Sequence, residues 1–246
     1  MVYPKFKNKH LEDALFSPID YLESTGHGNK MMPKNCIILY GRRLLTRLKR
    51  RYKFTRLKHL IIGTQLYKFK KIGIIYMEGI GSPHAVTVLE EAISLGSRNF
   101  INMGTAGGLK EEGFFLCTKA LRDEGTSYHY LPHGHFSHPD PKLTKKLGQS
   151  MASLGIKYKE APTWTIDAPY RETKVEINKY RKMGIATVEM EASALFAVAS
   201  LRKVKIASAF VVSDVLGEKW NPRFHHINVK RGLDQLFQAA VDCLSK

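Results

Sequence analysis

The sequence predicts an α/β fold: a single three-layer α/β/α domain with a central twisted mixed sheet. Short apolar runs typical of buried strands alternate with longer segments of helical periodicity. Two glycine-rich segments, GIGSP from Gly79 and GTAGGL from Gly104, follow apolar runs where a βαβ unit would turn. The chain has 246 residues, of which 43% are hydrophobic, and this is enough for one substantial core.

In the first half of the chain, strands are predicted at residues 35–40, 60–67, 71–77 and 99–103. A basic segment of helical periodicity, residues 42–52, follows the first strand. A second helix is expected after GIGSP, because Ser82 can cap it, Pro83 can occupy its first turn and Gly96 can end it. The last of these strands is expected to run into a glycine turn at GTAGGL. Strand, turn, helix, strand and turn form a βαβ unit with a ligand-binding edge.

The second half is predicted to be mostly helical, with helices at 142–154, 175–183, 192–202 and 231–244 and a strand at 206–212. That strand ends in VVSDV, which places Asp214 at its carboxyl edge. An acid at the end of a buried run can have a raised pKa and donate a proton, although an aspartate that caps the next turn fits equally well. No repeat or linker is evident, so one domain is expected over residues 1–246. Residues 1–34 form an N-terminal extension whose order the sequence leaves open.

Composition narrows the classes of function. Three widely spaced cysteines predict neither a disulfide framework nor a zinc knuckle, and a reducing, cytoplasmic setting is expected. The N-terminus lacks a signal-peptide core, and the apolar runs are too short to span a bilayer, so no membrane association is expected. The histidine-rich stretch HGHFSHPD, residues 133–140, is interpreted as a surface loop or lid. Neither a metal nor an organic cofactor is expected.

The chain is strongly basic: it has 39 Lys and Arg residues and 22 Asp and Glu residues, which give a net charge of +17. Much of the excess lies in GRRLLTRLKRRYKFTRLK, residues 41–58. Such a run can bind nucleic acid, an acidic membrane or an anionic substrate. A solvated helix face with Leu44, Leu45 and Leu48 turned inward is the favoured interpretation. Aromatic residues do not follow an RNA-binding spacing, so nucleic acid is not expected as a partner.

Two acids, Glu189 and Glu191, flank Met190 at the start of the apolar stretch VEMEASALFAVA. Taken alone, they are typical of acids favoured by the dipole of an alanine-rich core helix. A carboxylate also offers paired acceptors to a vicinal diol. The glycine turns alone predict tight turns, although their N–H groups could cradle an anion beside the Thr105 hydroxyl.

The segments GIGSP, GTAGGL, VEMEASALFAVA and VVSDV, in this order and spacing, resemble the nucleoside phosphorylase superfamily. That superfamily includes purine nucleoside phosphorylases, uridine phosphorylases and methylthioadenosine nucleosidases. The resemblance covers about residues 35–245, and RDEGTSYHYLP, residues 122–132, is similar to the uridine phosphorylase branch. It implies cleavage of a purine or uridine-type nucleoside by inorganic phosphate as co-substrate, which gives free base and ribose 1-phosphate. It also implies a homo-oligomer.

The resemblance assigns roles on the sugar and base sides of the substrate. Glu191 would accept hydrogen bonds from the ribose 2′ and 3′ hydroxyls, Glu189 would assist and Met190 would pack beside the sugar. An adjacent negative charge favours the oxocarbenium-like sugar that forms as the bond breaks. Asp214 would protonate or hydrogen-bond N7 of the base, which argues for a purine. The DAPY stretch around Asp167 resembles the family's base-pocket segment, and Arg171 and Glu172 after it are further candidates, with no role assigned to either.

The phosphate side departs most from the family pattern. The phosphate-binding residues that the resemblance implies are Gly81, Gly104, Thr105, Arg42 and Arg43. Phosphorylases of this family usually carry one arginine in a GDPxR segment after the first strand, a second that is donated across a subunit interface, and a third just before the GT or GS loop. Here YGRRLL matches the first only loosely, His59 lies near the second position and Asn102 replaces the third. The segment around Asn102 resembles the nucleosidases, which use water in place of phosphate. One alternative to a phosphorylase is therefore a nucleosidase, with Glu78 as the candidate base. A non-catalytic anion-binding or nucleic-acid-binding protein on the same fold is the other.

Overall fold

The computed structural model describes residues 3–6, 8–57 and 61–246, and its centre is a curved mixed sheet. Within the described residues the sheet has eleven strands. They are β1 (Asn35–Tyr40), β2 (Thr55–Arg56), β3 (Thr64–Phe69), β4 (Ile72–Met77), β5 (Asn99–Gly108), β6 (Phe114–Asp123), β7 (Phe136–Ser137), β8 (Tyr158–Ile166), β9 (Thr187–Glu189), β10 (Lys205–Leu216) and β11 (Trp220–Pro222).

Four adjacent strands, β4, β1, β5 and β10, run parallel through the middle of the sheet. Their residues are almost entirely buried, as expected for parallel strands covered on both faces. Parallel strands end at the same edge. Tyr40 pairs with Met77, so β1 and β4 end together, whereas β5 continues beyond Met103, the partner of Leu39. We call the edge at which these strands end the carboxyl edge; the opposite one is the amino edge.

The sheet also closes on itself, which the sequence did not predict. β10 pairs with β6, β6 with β8, β8 with β9 and β9 with β5, so that five strands form a ring. Gly107 of β5 lies where this ring is tightest, paired with Val188 on one side and Asp214 on the other. A Cβ atom at Gly107 would lie 2.9 Å from a Val188 methyl carbon, so the closure requires glycine.

Seven α-helices of the described chain complete the layers: α1 (Pro18–Ser24), α2 (Arg42–Arg51), α3 (Ser82–Ser94), α4 (Pro141–Ser153), α5 (Lys174–Lys182), α6 (Ala192–Leu201) and α7 (Ile227–Ser245). One apolar cluster unites α1, α3 and α6 with one face of the sheet, and a second unites α2, α4 and α7 with the other. Leu44, Leu45 and Leu48 are buried in the second cluster, as predicted. The three-layer α/β/α prediction is confirmed.

Three local predictions were wrong. The strand expected at 60–67 begins at Thr64 and continues to Phe69, and its first expected residue lies outside the described part of the chain. Ser82 does not cap α3; Gly81 holds the cap position and the Ser82 hydroxyl binds elsewhere. GTAGG is not a turn, because its residues continue β5 and pair with β9 and β10.

The histidine-rich stretch is partly ordered in the sheet rather than being only a loop or lid. Phe136–Ser137 forms β7 and pairs with β6, and the Ser137 hydroxyl donates to the carbonyl of Ser193. In the part of the chain that is described, no three His, Cys, Asp or Glu side chains gather into a potential metal site. No described helix is long and apolar enough to cross a bilayer.

Candidate active site

The GIGSP loop and the VEMEA segment are hydrogen-bonded to each other at the carboxyl edge. Gly81 follows β4 with φ +98°, a left-handed conformation that favours glycine. Its N–H donates to Oε1 of Glu191 at 2.6 Å, and the Ser82 hydroxyl donates to the Met190 carbonyl at 2.8 Å. Two segments that are more than 100 residues apart in sequence are therefore fixed against each other.

Glu191 lies at the N-terminal end of α6 and is only 8% exposed. Burial raises its pKa. Because Gly81 fixes one of its oxygens, the carboxylate has a defined orientation beside the loop. Met190, next to it, is half-buried at the same edge.

Glu189 ends β9 and is bound entirely from within the protein. Its Oε2 accepts the backbone N–H groups of Glu191 at 2.8 Å and Ala192 at 2.7 Å, and its Oε1 accepts the Thr165 hydroxyl at 2.5 Å. It therefore holds the first turn of α6 and, with it, the backbone of Glu191. Burial first, and the charge of Glu191 second, raise the pKa of Glu189 to about 8.

Half-buried Tyr40 and buried Asn102 form a pair near the two glutamates, and the sequence did not predict this contact. The Tyr40 hydroxyl donates to Oδ1 of Asn102 at 3.0 Å, and Nδ2 of Asn102 donates to the Ser208 hydroxyl at 3.1 Å. Burial, followed by the charges of Glu191 and Glu189, raises the pKa of Tyr40 well above its usual value. Asn102, in place of the third arginine, thus links three strands inside the sheet.

Asp214 lies near the end of β10, beside a register shift between Val212 and Asp214. It is 8% exposed, and both of its oxygens are occupied. The Ser213 hydroxyl donates to Oδ1 and the Trp220 indole N–H to Oδ2, each at 2.8 Å. Trp220 belongs to β11, which folds back antiparallel on β10, and no sequence pattern predicted this contact.

Glu172 is half-buried near Asp214. Burial first, and the charge of Asp214 second, raise the pKa of Glu172 to about 7. Two carboxyl groups, those of Glu172 and Asp214, therefore lie near each other on the predicted base side of the site. Asp167, in the DAPY stretch, is exposed and accepts the Gly125 N–H at 2.8 Å.

The segment similar to uridine phosphorylases supports α6 from outside. Glu124 accepts the Ser193 hydroxyl at 2.8 Å, together with the backbone N–H groups of Thr126 and Ser127. Arg122 donates to the Ser127 hydroxyl at 2.8 Å. These buried contacts give the segment a structural role beside the site and do not distinguish one base from another.

The predicted phosphate-binding residues are held less firmly. Thr105 is exposed on β5, whereas Gly104 is buried beside the Tyr40 ring. Arg42 and Arg43, the first two residues of α2, are exposed, and Arg43 donates to Nδ1 of His225 at 3.0 Å. His59 lies outside the described residues.

Glu78, the candidate base for water, is exposed and accepts a hydrogen bond from Gln65 at 2.9 Å. A cavity of about 300 Å³ lies beside it and is lined by residues that include Tyr21 and Thr64. A second cavity, of about 830 Å³, lies between the N-terminal segment and residues around Tyr128. Neither cavity is lined by Glu191 or Asp214.

The chain belongs to the phosphorylase superfamily, whose family model matches residues 45–245. A uridine phosphorylase from Treponema pallidum is 29% identical over 149 residues, which are 54% of this chain and 58% of the relative. A DeoD-type purine nucleoside phosphorylase from Exiguobacterium is 27% identical over 164 residues, 62% of this chain and 67% of the relative. The aligned region therefore spans less than two thirds of the uridine phosphorylase.

Solved structures show the same fold over most of the chain. An AMP nucleosidase from Bacteroides thetaiotaomicron has a TM-score of 0.76 at 18% identity, covering 94% of this chain and 97% of that one. A purine nucleoside phosphorylase from Toxoplasma gondii, in complex with immucillin-H, has a TM-score of 0.78 at 18% identity, covering 88% and 92%.

Proposed function

We propose that this protein cleaves the N-glycosidic bond of a nucleoside with inorganic phosphate and releases a free base and ribose 1-phosphate. The observation that carries the proposal is the joint placement of Glu191 and Asp214 at the carboxyl edge. Asp214 pairs with one side of Gly107, and the strand that leads to Glu191 pairs with the other. A nucleoside placed at this edge would present its sugar to one acid and its base to the other.

Glu191 would bind the sugar. A carboxylate can accept hydrogen bonds from both hydroxyls of a vicinal diol. Its negative charge stabilises the positive charge that develops on the ribose as the C1′–N bond breaks. Glu189 positions Glu191 through the backbone N–H groups at the start of α6. A direct contact between Glu189 and the ribose remains a prediction, as does packing of Met190 against the sugar.

Asp214 would act on the base. When the C1′–N bond breaks, its electron pair moves onto the base, and a proton or hydrogen bond at a ring nitrogen makes the base a better leaving group. The Asp214 carboxyl group would supply this contact. Ser213 and Trp220 each donate to one of its two oxygens and thereby orient it toward the base.

Phosphate would bind where α2 and α3 begin. Both helices start at the carboxyl edge, at Gly41 and Gly81, and neither has a side-chain cap. Their N-terminal ends carry partial positive charge that favours an anion. Arg42 and Arg43 add full charges, and the exposed Thr105 adds a hydroxyl. In the reaction, a phosphate oxygen bonds to C1′ as the base leaves with the electron pair of the broken bond.

A nucleosidase that uses water is the second candidate, because of Asn102. Tyr40 and Ser208 hold its amide inside the sheet, so this position contributes no cation toward a phosphate. The names of the relatives include both reaction types. We also propose that the protein acts as a homo-oligomer on a small nucleoside, without a metal or organic cofactor.

Base release from inosine, adenosine, guanosine, uridine and methylthioadenosine, each with and without phosphate, tests the proposed function. We expect release that depends strictly on phosphate for at least one of these substrates. Equal release without phosphate would favour the nucleosidase. No release from any of them would refute the proposal for these substrates.

A further inference from the structure

The positive charge of this protein is concentrated in one continuous part of the chain. Between Glu23 and Glu78 there are fourteen lysines and arginines and neither an aspartate nor a glutamate, whereas the net charge of the whole chain is +17. Solvated helix faces normally mix both signs of charge. A stretch of this length with a single sign attracts polyanions over a distance set by the salt concentration.

The fold gathers much of this charge at the amino edge. Thr55 of β2 pairs with Lys68 of β3, and the next residue, Phe69, pairs with Ile72, the first residue of β4. The end of α2 reaches the same place, because Lys49 lies 5.1 Å above the Tyr67 ring. We define the basic surface as Lys49, Arg50, Arg51, Lys53, Lys68 and Lys70, all of which are exposed.

Aromatic rings lie among these cations. Tyr52 and Phe54 stack with their centroids 6.3 Å apart, and both contact Phe69. All three rings are half-buried, so each is anchored in the protein and retains an exposed part. The fold thereby brings together two segments, YKF at residues 52–54 and YKFKK at residues 67–71. Along the chain, their aromatic residues do not follow the spacing of a nucleic-acid-binding motif.

The cations of the basic surface are not neutralised by the protein. Across the described part of the chain, none of the six forms an ion pair with a carboxylate; Arg47, on the same helix, pairs with Asp234 at 3.0 Å. A set of unpaired like charges costs free energy through mutual repulsion. An anionic partner removes that cost.

A single-stranded nucleic acid fits this surface better than a membrane does. The rings beside the basic surface, Tyr52, Phe54 and Phe69, are not among the well-exposed large apolar side chains of the described residues, so this region offers little to insert among lipids. Closely spaced cations beside partly exposed rings match a phosphate backbone whose bases stack on aromatic side chains. We propose that the basic surface binds single-stranded nucleic acid, independently of the candidate active site at the opposite edge.

Binding of a fluorescein-labelled oligouridylate of about 20 nucleotides to the full chain, followed by anisotropy from about 50 to 300 mM KCl, tests the proposal. The test variant is Arg50→Gln with Arg51→Gln and Lys53→Gln. The control removes three exposed lysines elsewhere: Lys142→Gln with Lys145→Gln and Lys182→Gln. We expect the test variant to bind at least about tenfold more weakly at low salt, with a salt slope smaller by about 2.

Equal losses in the test and control variants would overturn the proposal, because net charge alone would then explain binding. So would the absence of oligonucleotide binding by the unmodified protein, whether or not that protein binds phosphatidylserine vesicles. If the test variant fails to fold, acetylation of the unmodified protein replaces it. Lys53, Lys68 and Lys70 should then be protected by the oligonucleotide while Lys142 and Lys145 are not, and uniform labelling would overturn the proposal.

Nucleoside cleavage provides an independent readout. Arg50, Arg51 and Lys53 lie away from Glu191 and Asp214, so the test variant should release base at the rate of the unmodified protein. Loss of oligonucleotide binding with unchanged cleavage would separate the two functions. If the unmodified protein cleaved no nucleoside, only the proposed function would fail. The oligonucleotide experiment would still test whether the basic surface binds nucleic acid.

Discussion

The sugar side and the phosphate side of the candidate active site differ in how firmly the chain holds them. Glu191 is buried and fixed by Gly81, and Glu189 is fixed by three donors. By contrast, Arg42 and Thr105 are exposed on the phosphate side. Electrostatic catalysis depends on groups that are oriented before the reaction begins. Under the proposed function, we therefore expect the sugar side to provide most of the transition-state stabilisation and the phosphate side mainly to concentrate the nucleophile.

The largest effect is expected at Glu191. Glu191→Gln keeps an acceptor for the Gly81 N–H but removes the negative charge next to the ribose. We expect kcat for base release to fall about a thousandfold. Steady-state kinetics would measure this, with the exposed Glu160→Gln as a control for the loss of one carboxylate. A fall of less than tenfold would show that the sugar side does not dominate catalysis.

The next largest effect is expected at Asp214. Asp214→Asn removes the proton donor for the departing base, and we expect release of a purine to slow about a hundredfold. Uridine should be affected much less, because its departure does not use a proton at a purine nitrogen. Trp220→Phe, which removes one hydrogen bond to Asp214, serves as a control for altered orientation. Equal losses for purine and pyrimidine would show a structural role for Asp214.

Glu189→Gln should destabilise the fold. The amide nitrogen must face either the Thr165 hydroxyl or the two backbone N–H groups, so at least one donor is left without an acceptor. We expect the free energy of unfolding to fall by about 2 kcal/mol. Urea unfolding would measure the change. A variant as stable as the unmodified protein would mean that Glu189 does not hold the start of α6.

The same glutamate predicts how stability depends on pH. Its folded pKa, about 8, lies above its usual value, so between about pH 5 and 8 the folded state binds more protons than the unfolded state. The free energy of unfolding should therefore fall as the pH rises through this window. Glu189→Gln should flatten the dependence. Parallel curves for the two proteins would contradict the raised pKa.

The smallest effect is expected on the phosphate side. Arg42→Gln should raise the KM for phosphate about tenfold and leave the KM for the nucleoside unchanged, since one exposed charge is removed. Arg50→Gln, on the same helix but at the amino edge, is the matched control and should change neither. If Arg42→Gln lowered kcat as much as Glu191→Gln does, the phosphate side would contribute as much to catalysis as the sugar side, which would contradict this account.

The sequence predicted best those elements whose side chains follow a regular pattern. The strand at Asn35–Tyr40 was placed correctly, as was the helix that begins at GIGSP and ends before Gly96. β6 and β8 mix apolar, charged and small residues, because their two faces meet different surroundings around the ring of strands. Their sequences therefore show no regular alternation of apolar and polar residues. GTAGG resembled a turn because glycine usually marks turns, whereas here Gly107 allows close strand packing.

The candidate site was predictable where motifs lie at strand ends, and not where it depends on contacts between distant residues. The sequence predicted Asp214 at the carboxyl end of a strand and Glu191 at the start of a helix, and the family resemblance predicted that both face the substrate. The bond from Gly81 to Glu191 joins residues 110 positions apart, and the bond from Trp220 to Asp214 depends on a short hairpin. Such contacts depend on tertiary packing, which no local sequence pattern records.

The central claim is that the fixed carboxylate of Glu191 directs cleavage of a nucleoside by phosphate at the carboxyl edge. Phosphorus NMR of the unmodified protein with inosine and phosphate tests it most directly. A new resonance of ribose 1-phosphate, absent with Glu191→Gln, is the predicted result. Free ribose and unchanged phosphate would contradict the claim, as would ribose 1-phosphate formed equally fast by Glu191→Gln.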